Sequence, residues 1–234
     1  MKKFLPVIVI AIAIVVALAG NAYSATQPPL PAQAGAPAQL ILTWSANNFY
    51  PSDYEGKALP AGGATVNASL EVAQGGKLQD VKNVPITWYL DSEYFVRGAG
   101  LKHTTFTVTK RKGDAHSLRT VANLPGGDSE ATAIVPVVNR EVVIETPYRG
   151  VSAPHGKPLV FRAVPYFFNI ASLAELTFSW TAGGDTQSAS GDNELSVNLD
   201  NVQNRGTFPV SVGVRAFRSP LESASDAITI TINP

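Results

Sequence analysis

From residue 40 onward, apolar and polar positions alternate in short runs. Leu40, Leu42 and Trp44 open the pattern, followed by Ala68, Leu70 and Val72, then Ile86, Trp88 and Leu90. Phe106 and Val108 come next, and then Ala131, Ala133, Val135 and Val137. The second half repeats the habit at Leu176, Phe178 and Trp180, at Leu195, Val197 and Leu199, at Val210, Val212 and Val214, and at Ile228, Ile230 and Ile232. A period of two places apolar side chains on one face of an extended segment, which predicts half-buried antiparallel strands. Turn-forming residues punctuate the runs: Gly62-Gly63, Gly75-Gly76, Pro125-Gly126-Gly127, Gly183-Gly184-Asp185 and Gly191-Asp192. No segment carries an apolar stripe at helical spacing over three turns. The expected class is all-β, a sandwich or barrel of short strands.

The pattern is also duplicated. Ile86-Thr-Trp88 is followed by expected strands at 104–109, 117–123 and 130–137, and Phe178-Ser-Trp180 by expected strands at 194–199, 207–216 and 226–232. Trp88 lies 49 residues before Val137, and Trp180 lies 52 before Ile232. Matching order and spacing predict two tandem copies of one fold, residues 39–139 and 140–234. Each is long enough to bury its own core.

The first 38 residues belong to neither copy. Met1-Lys2-Lys3 precedes an uncharged apolar run from Phe4 to Gly20, and Ala22-Tyr23-Ser24 offers small residues at a cleavage point. Residues 1–24 therefore read as a secretory signal peptide. If retained, residues 4–20 would instead anchor the chain in a membrane, with the rest outside. Both readings export the folded part to the cell surface, periplasm or medium. Residues 25–38, rich in Pro, Ala and Gln, read as a semi-rigid linker.

Charge and composition narrow the choices. Cleavage after Ser24 leaves 210 residues with 16 basic and 18 acidic side chains. So balanced a chain offers no basic field for nucleic acid. With no cysteine, there is no disulfide framework, thiolate nucleophile or lipid-modified cysteine.

A tryptophan on a central strand of a domain of about seven strands resembles the immunoglobulin-like sandwich. Phe178-Ser-Trp180-Thr-Ala-Gly183-Gly184-Asp185 resembles the strand and turn of bacterial cell-surface domains of the PKD and Big types. Ile86-Thr-Trp88-Tyr89-Leu90-Asp91 keeps the strand and lacks the glycine turn. The resemblance implies a spacer, adhesive or assembly module. In such a sandwich Trp88 and Trp180 would each fill the space between the sheets as structural core.

Candidate chemistry is sparse. His103, His116 and His155 show no metal-ligand spacing and are expected at the solvated surface. No nucleophile elbow occurs, so no catalytic residue and no cofactor are expected. Asp185, Asp192 and Asp200 cluster on neighbouring turns of the second copy, where they either ligate Ca²⁺ or bond their own backbone.

Two segments break the alternation. The stretch 47–56 carries Phe49, Tyr50 and Tyr54 among Pro51, Asp53 and Gly56, either as a lid over the first sandwich or as a displayed partner site. Val164-Pro165-Tyr166-Phe167-Phe168-Asn169 puts aromatics on both faces. One face is expected in the second core. The other is expected against the first copy or the 148–150 stretch, with Tyr166 and Phe168 also candidates for a partner. The sequence as a whole points to a non-catalytic, exported envelope protein that binds another envelope protein or a surface polymer. It would touch membrane only through an uncleaved N-terminal segment. A periplasmic chaperone for fibre subunits and a carbohydrate-binding module are the alternatives.

Overall fold

Strand alternation is realised most fully where both neighbours are present. In the computed structural model, residues 37–147, 152–154, 158–183, 185–190, 192–198 and 206–233 are described, with backbone only for Pro154, Asp185–Ser190 and Asn233. The N-terminal segment through residue 36, and with it the signal or anchor, lies outside the described residues, as do Tyr148, Arg149, His155, Gly184 and Asp200.

The first half forms β1 (Gln39–Asn47), β2 (Thr65–Gln74), β3 (Lys77–Leu78), β4 (Pro85–Leu90), β5 (Glu93–Ala99), β6 (His103–Thr107), β7 (Ala115–Leu124) and β8 (Gly127–Pro136). β2 is flanked by β1 on one side and by β3 and β6 on the other, and the facing sheet runs β5-β4-β7-β8. The second half forms β9 (Glu141–Glu145), β10 (Ser152–Pro154), β11 (Leu159–Tyr166), a 3₁₀ turn (Leu173–Glu175), β12 (Leu176–Ala182), β13 (Asp185–Ser190), β14 (Glu194–Val197), β15 (Gly206–Ala216) and β16 (Ser223–Asn233). Its sheets run β14-β11-β9 and β10-β16-β15-β12-β13. Each half is an immunoglobulin-like sandwich, antiparallel but for the short parallel pairing of β10 with β16, and the whole described chain is all-β.

The tryptophan strands of the two halves pair with their neighbours in matching order. Trp88 on β4 faces Thr120 on β7, and Trp180 on β12 faces Val212 on β15. Counting outward from these pairs, Leu118 corresponds to Val210 and Ala122 to Val214. Buried side chains fall into two clusters, one drawn wholly from residues 66–137 and one from 142–232. Trp88 and Trp180 are fully buried, one in each. An indole removes more apolar surface from water than any other side chain, so each ring anchors the packing of its own two sheets.

The hairpin after each tryptophan strand is built differently. Leu90 pairs with Glu93, leaving Asp91 and Ser92 as a two-residue turn with φ of 54° and 72°. Both central residues lie in the left-handed region, as a type I′ hairpin demands, without the usual glycine. The matching turn, between Ala182 and Asp185, opens with Gly183 at φ 61°. A Cβ at Gly183 would sit 2.7 Å from the Phe208 ring, so both conformation and space require glycine there.

Candidate functional site

The connection from Asn48 to Ala64, between β1 and β2, builds the junction between the sandwiches. Pro51, Gly56 and Pro60 keep it from continuing either strand. Its base is pinned within the first sandwich: Asn48 Nδ2 donates to the Leu59 carbonyl at 2.6 Å, and the Val138 N–H donates to the Pro60 carbonyl at 3.0 Å. Its tip reaches the second sandwich. The Phe49 N–H donates to the Phe168 carbonyl, and the Phe167 N–H to the Phe49 carbonyl, both at 2.7 Å. Phe167 sits at φ 63°, a costly conformation for a bulky residue, and this two-bond bridge holds it there.

Aromatic rings fill the space beside the bridge. The Tyr54 ring lies 5.7 Å from that of Tyr166 and 5.8 Å from that of Phe167, both edge to face. Such pairs add roughly 0.5–1.5 kcal/mol beyond the apolar area they bury. The loop is therefore neither a lid on its own sandwich nor a wholly displayed surface, because its rings pack on the neighbouring domain. Phe168 turns inward and is fully buried in the second core, which leaves a partner nothing to touch. Of the aromatic candidates Tyr50 is the most open, at 43% exposure.

A polar cluster closes the other side of the junction. The Gly62 carbonyl accepts from Arg140 Nη2 at 2.5 Å and from Asn169 Nδ2 at 3.1 Å. Glu222 Oε1 accepts from the same Asn169 nitrogen at 2.9 Å and forms an ion pair with Arg140 Nη2 at 3.0 Å, and Oε2 accepts from the Asn169 N–H at 3.2 Å. Arg140 and Glu222 are only 18% and 13% exposed at their side chains. Desolvation offsets much of such a pair's attraction, so its main effect is to fix geometry. A Cβ added at Gly63, which sits at φ 82°, would lie 3.3 Å from Asn169 Nδ2.

Below the loop lies a groove of 350 Å³ whose lining includes Phe49, Pro51, Asp53, Val164, Pro165 and Leu173. Pro165 is accommodated because β14 pairs β11 only from Leu159 to Arg162, so no ladder bond is lost on that side. One rim is charged. Arg162 pairs across the sheet with Glu145 on one side and Glu194 on the other, and Glu145 Oε2 accepts its Nε at 2.9 Å. Hydrogen bonding and attraction from Glu145, reinforced by Asp53 and Glu194, raise the guanidinium above its ordinary value. Burial, followed by the Glu145 and Asp53 charges, raises the Tyr166 hydroxyl.

The histidine expectation needs correction. His103 is exposed, but His116 is 1% exposed and lies in the first core, its ring 5.3 Å from that of Phe106. β7 begins at Ala115, two residues before the expected strand, and carries the inward alternation of Thr120 and Leu118 back to His116. His116 Nδ1 lies 2.7 Å from Asp91 Oδ2, while Asp91 Oδ1 accepts from Lys110 Nζ at 2.8 Å and from the Ser117 N–H at 3.0 Å. Burial alone would raise the Asp91 carboxyl. The bonds from Lys110, Ser117 and His116 outweigh it and hold the group below its ordinary value.

Of the calcium candidates, only Asp192 has its side chain among the described residues. Asp192 Oδ1 accepts from the Glu194 N–H at 2.9 Å, which is ordinary turn chemistry. Asp200 and the Asp185 side chain lie outside the described residues. Among the described residues no group of three or more metal-ligating side chains converges. Trp44 is half-buried on edge strand β1, with Lys57 Nζ 3.3 Å above its ring. Burial lowers the Lys57 amine.

Sequence reading did not single out Asp91, Glu222 or the Glu145–Arg162–Glu194 row. The row was present as charges at alternating positions of neighbouring strands, but its register is visible only once the strands pair. Arg140 and Asn169 were legible only as residues near a boundary and a strand end.

No family model matches the chain, and no curated protein matches it. Solved structures do. One is the three N-terminal domains of the bacteriophage RB49 highly immunogenic outer capsid protein, at 14% identity and a TM-score of 0.44, covering 84% of this chain. The chain spans 59% of that structure's length. The fibronectin(III)-like modules of Clostridium thermocellum CbhA match at 15% identity and a TM-score of 0.28, over 82% of this chain and 94% of theirs. Titin domains z1z2, solved in complex with telethonin, match at 13% identity and a TM-score of 0.28, over 85% and 96%. These are neighbours in fold alone.

Proposed function

We propose that this chain is a non-catalytic structural and interaction module of the cell envelope, exported by residues 1–24 and held out by the 25–38 linker. The junction carries the reading. A loop of one sandwich bonded into the other, with a partly buried ion pair beside it, makes a stiff two-domain unit that presents surfaces at a fixed angle. The finer assignment, to PKD- or Big-type surface domains, is supported by the Phe178-Ser-Trp180 strand and the glycine turn after it. Its partner is another envelope protein or a surface polymer. Arg140 is engaged by Gly62 and Glu222 and so is not an open basic anchor of the kind a fibre chaperone needs. Tyr54 packs edge to face on Tyr166 and lies at 56° to Tyr50, so these two rings do not form a planar row for a glycan.

The test is native co-purification from the source envelope, comparing the full chain with an Arg140→Ala/Glu222→Ala variant. The expected result is an envelope partner retained by the first and depleted with the second, with both sandwiches still folded. Recovery of the chain from the cytoplasm, or of a partner held equally by both, would overturn the reading.

A further inference from the structure

The groove beneath the 48–64 loop combines two features that an unused crevice seldom shares. Its walls are apolar, from Phe49 and Pro51 on the loop and Val164 and Leu173 on the second sandwich. Its rim is anionic. Asp53 and Glu145 line it, Glu194 stands beside Arg162 on the next strand, and Arg162 is the one cation among these groups. Asp53 is exposed and makes no ion pair within 4.0 Å among the described residues. Among the described residues, three carboxylates around one guanidinium leave two negative charges unmatched at the mouth of an apolar slot. An anionic ligand would have to approach Arg162 past all three.

We propose that this groove takes a lysine side chain from an extended segment of a partner protein, the alkyl stem lying on Phe49, Pro51, Val164 and Leu173 and the ammonium reaching Asp53 and Glu145. Lysine suits the shape because its stem packs on apolar surface while its head stays at the wet rim. The surplus charge draws the segment in and makes capture sensitive to salt. The site spans both sandwiches, so it exists only while the junction is closed. The inference deepens the interaction reading above and rests on it for biological meaning, although the groove's chemistry is testable alone.

The test is an amide NMR titration of the full chain with the pentapeptide Ac-Ala-Leu-Lys-Leu-Ala-NH₂ and its norleucine and glutamate counterparts. The expected result is a set of shifts confined to residues around Asp53, Glu145, Arg162 and Leu173 with the lysine peptide. Binding should weaken at least about fivefold with norleucine, with Asp53→Asn or in about 0.5 M NaCl. Binding to glutamate should be absent, as should lysine-peptide binding to Asp53→Lys, whose unchanged melting temperature would show the loop intact. Equal binding of the norleucine peptide, preference for glutamate, shifts centred elsewhere or no shifts at millimolar peptide would each overturn the proposal. Because no envelope partner enters this experiment, its outcome is independent of the co-purification result.

Discussion

The first sandwich gives its buried indole a hydrogen-bond acceptor, and among the described residues the second does not. Trp88 Nε1 donates to the Leu101 carbonyl at 2.9 Å, its cross-strand neighbours are Thr120 and Val96, and His116 further along β7 meets Asp91 in the turn after β4. Trp180 faces Val212 on β15 and Gln187 on β13, and its Nε1 has no acceptor among the described residues. The turns follow suit. At the hairpin after its tryptophan strand, the second sandwich uses Gly183 for the left-handed position. The first uses Asp91 and Ser92, and the Asp91 carboxylate collects bonds from Lys110, Ser117 and His116. One topology thus tolerates a strained turn tied down by a charged network, or a relaxed turn that needs none.

Truncating the rings should give the largest effect. Trp88→Ala and Trp180→Ala are each expected to destabilise their own sandwich by about 3–5 kcal/mol, read from urea unfolding. The softer change separates the two sites. Trp88→Phe leaves the Leu101 carbonyl without its donor, whereas Trp180→Phe removes an N–H that has no acceptor among the described residues, so the first should be the more damaging. Equal losses would remove the distinction.

Next in size is Asp91→Asn, expected to cost the first sandwich about 1–2 kcal/mol near neutral pH, after allowance for its partial exposure. The folded carboxyl is held below its unfolded value. Its contribution is therefore complete above the ordinary carboxylate range of about 4 and fades as pH falls through the lowered folded value. Melting curves of wild type and Asp91→Asn should separate at pH 7 and converge in acid. A constant gap across that range would contradict the network.

The turns give the smallest effects, with opposite signs. Gly183→Ala meets both a left-handed φ and the Phe208 ring and should lose about 1–2 kcal/mol. Ser92→Gly relieves a φ of 72° and should gain up to about 1 kcal/mol. Thermal melts of the two variants decide whether only the first sandwich stores strain at this hairpin.

Much of the fold was readable because β2, β4, β7, β12 and β15 are flanked on both edges and buried on one face, so each side chain reports which way it points. β5 was not. Its edge position and the bulge opposite Trp88 and Tyr89 expose most of its residues and erase the alternation. His116 was missed for a related reason, since a polar residue at an inward position does not register as part of an apolar run. The junction was half legible. Aromatics at Phe49, Tyr54 and Tyr166 signalled an unfilled packing need, but nothing local tells a loop that its surface is on another domain. The groove charges follow the same logic, because Asp53 and Glu145 meet only through the fold.

The Phe49 bridge changes what inheritance can do with this duplication. Beads on a string can be reshuffled, lost or multiplied singly. Here either half on its own would present bare rings and a backbone pair in search of its mate, inviting swapped dimers or precipitation. Copy number in descendants of this chain should therefore change by pairs.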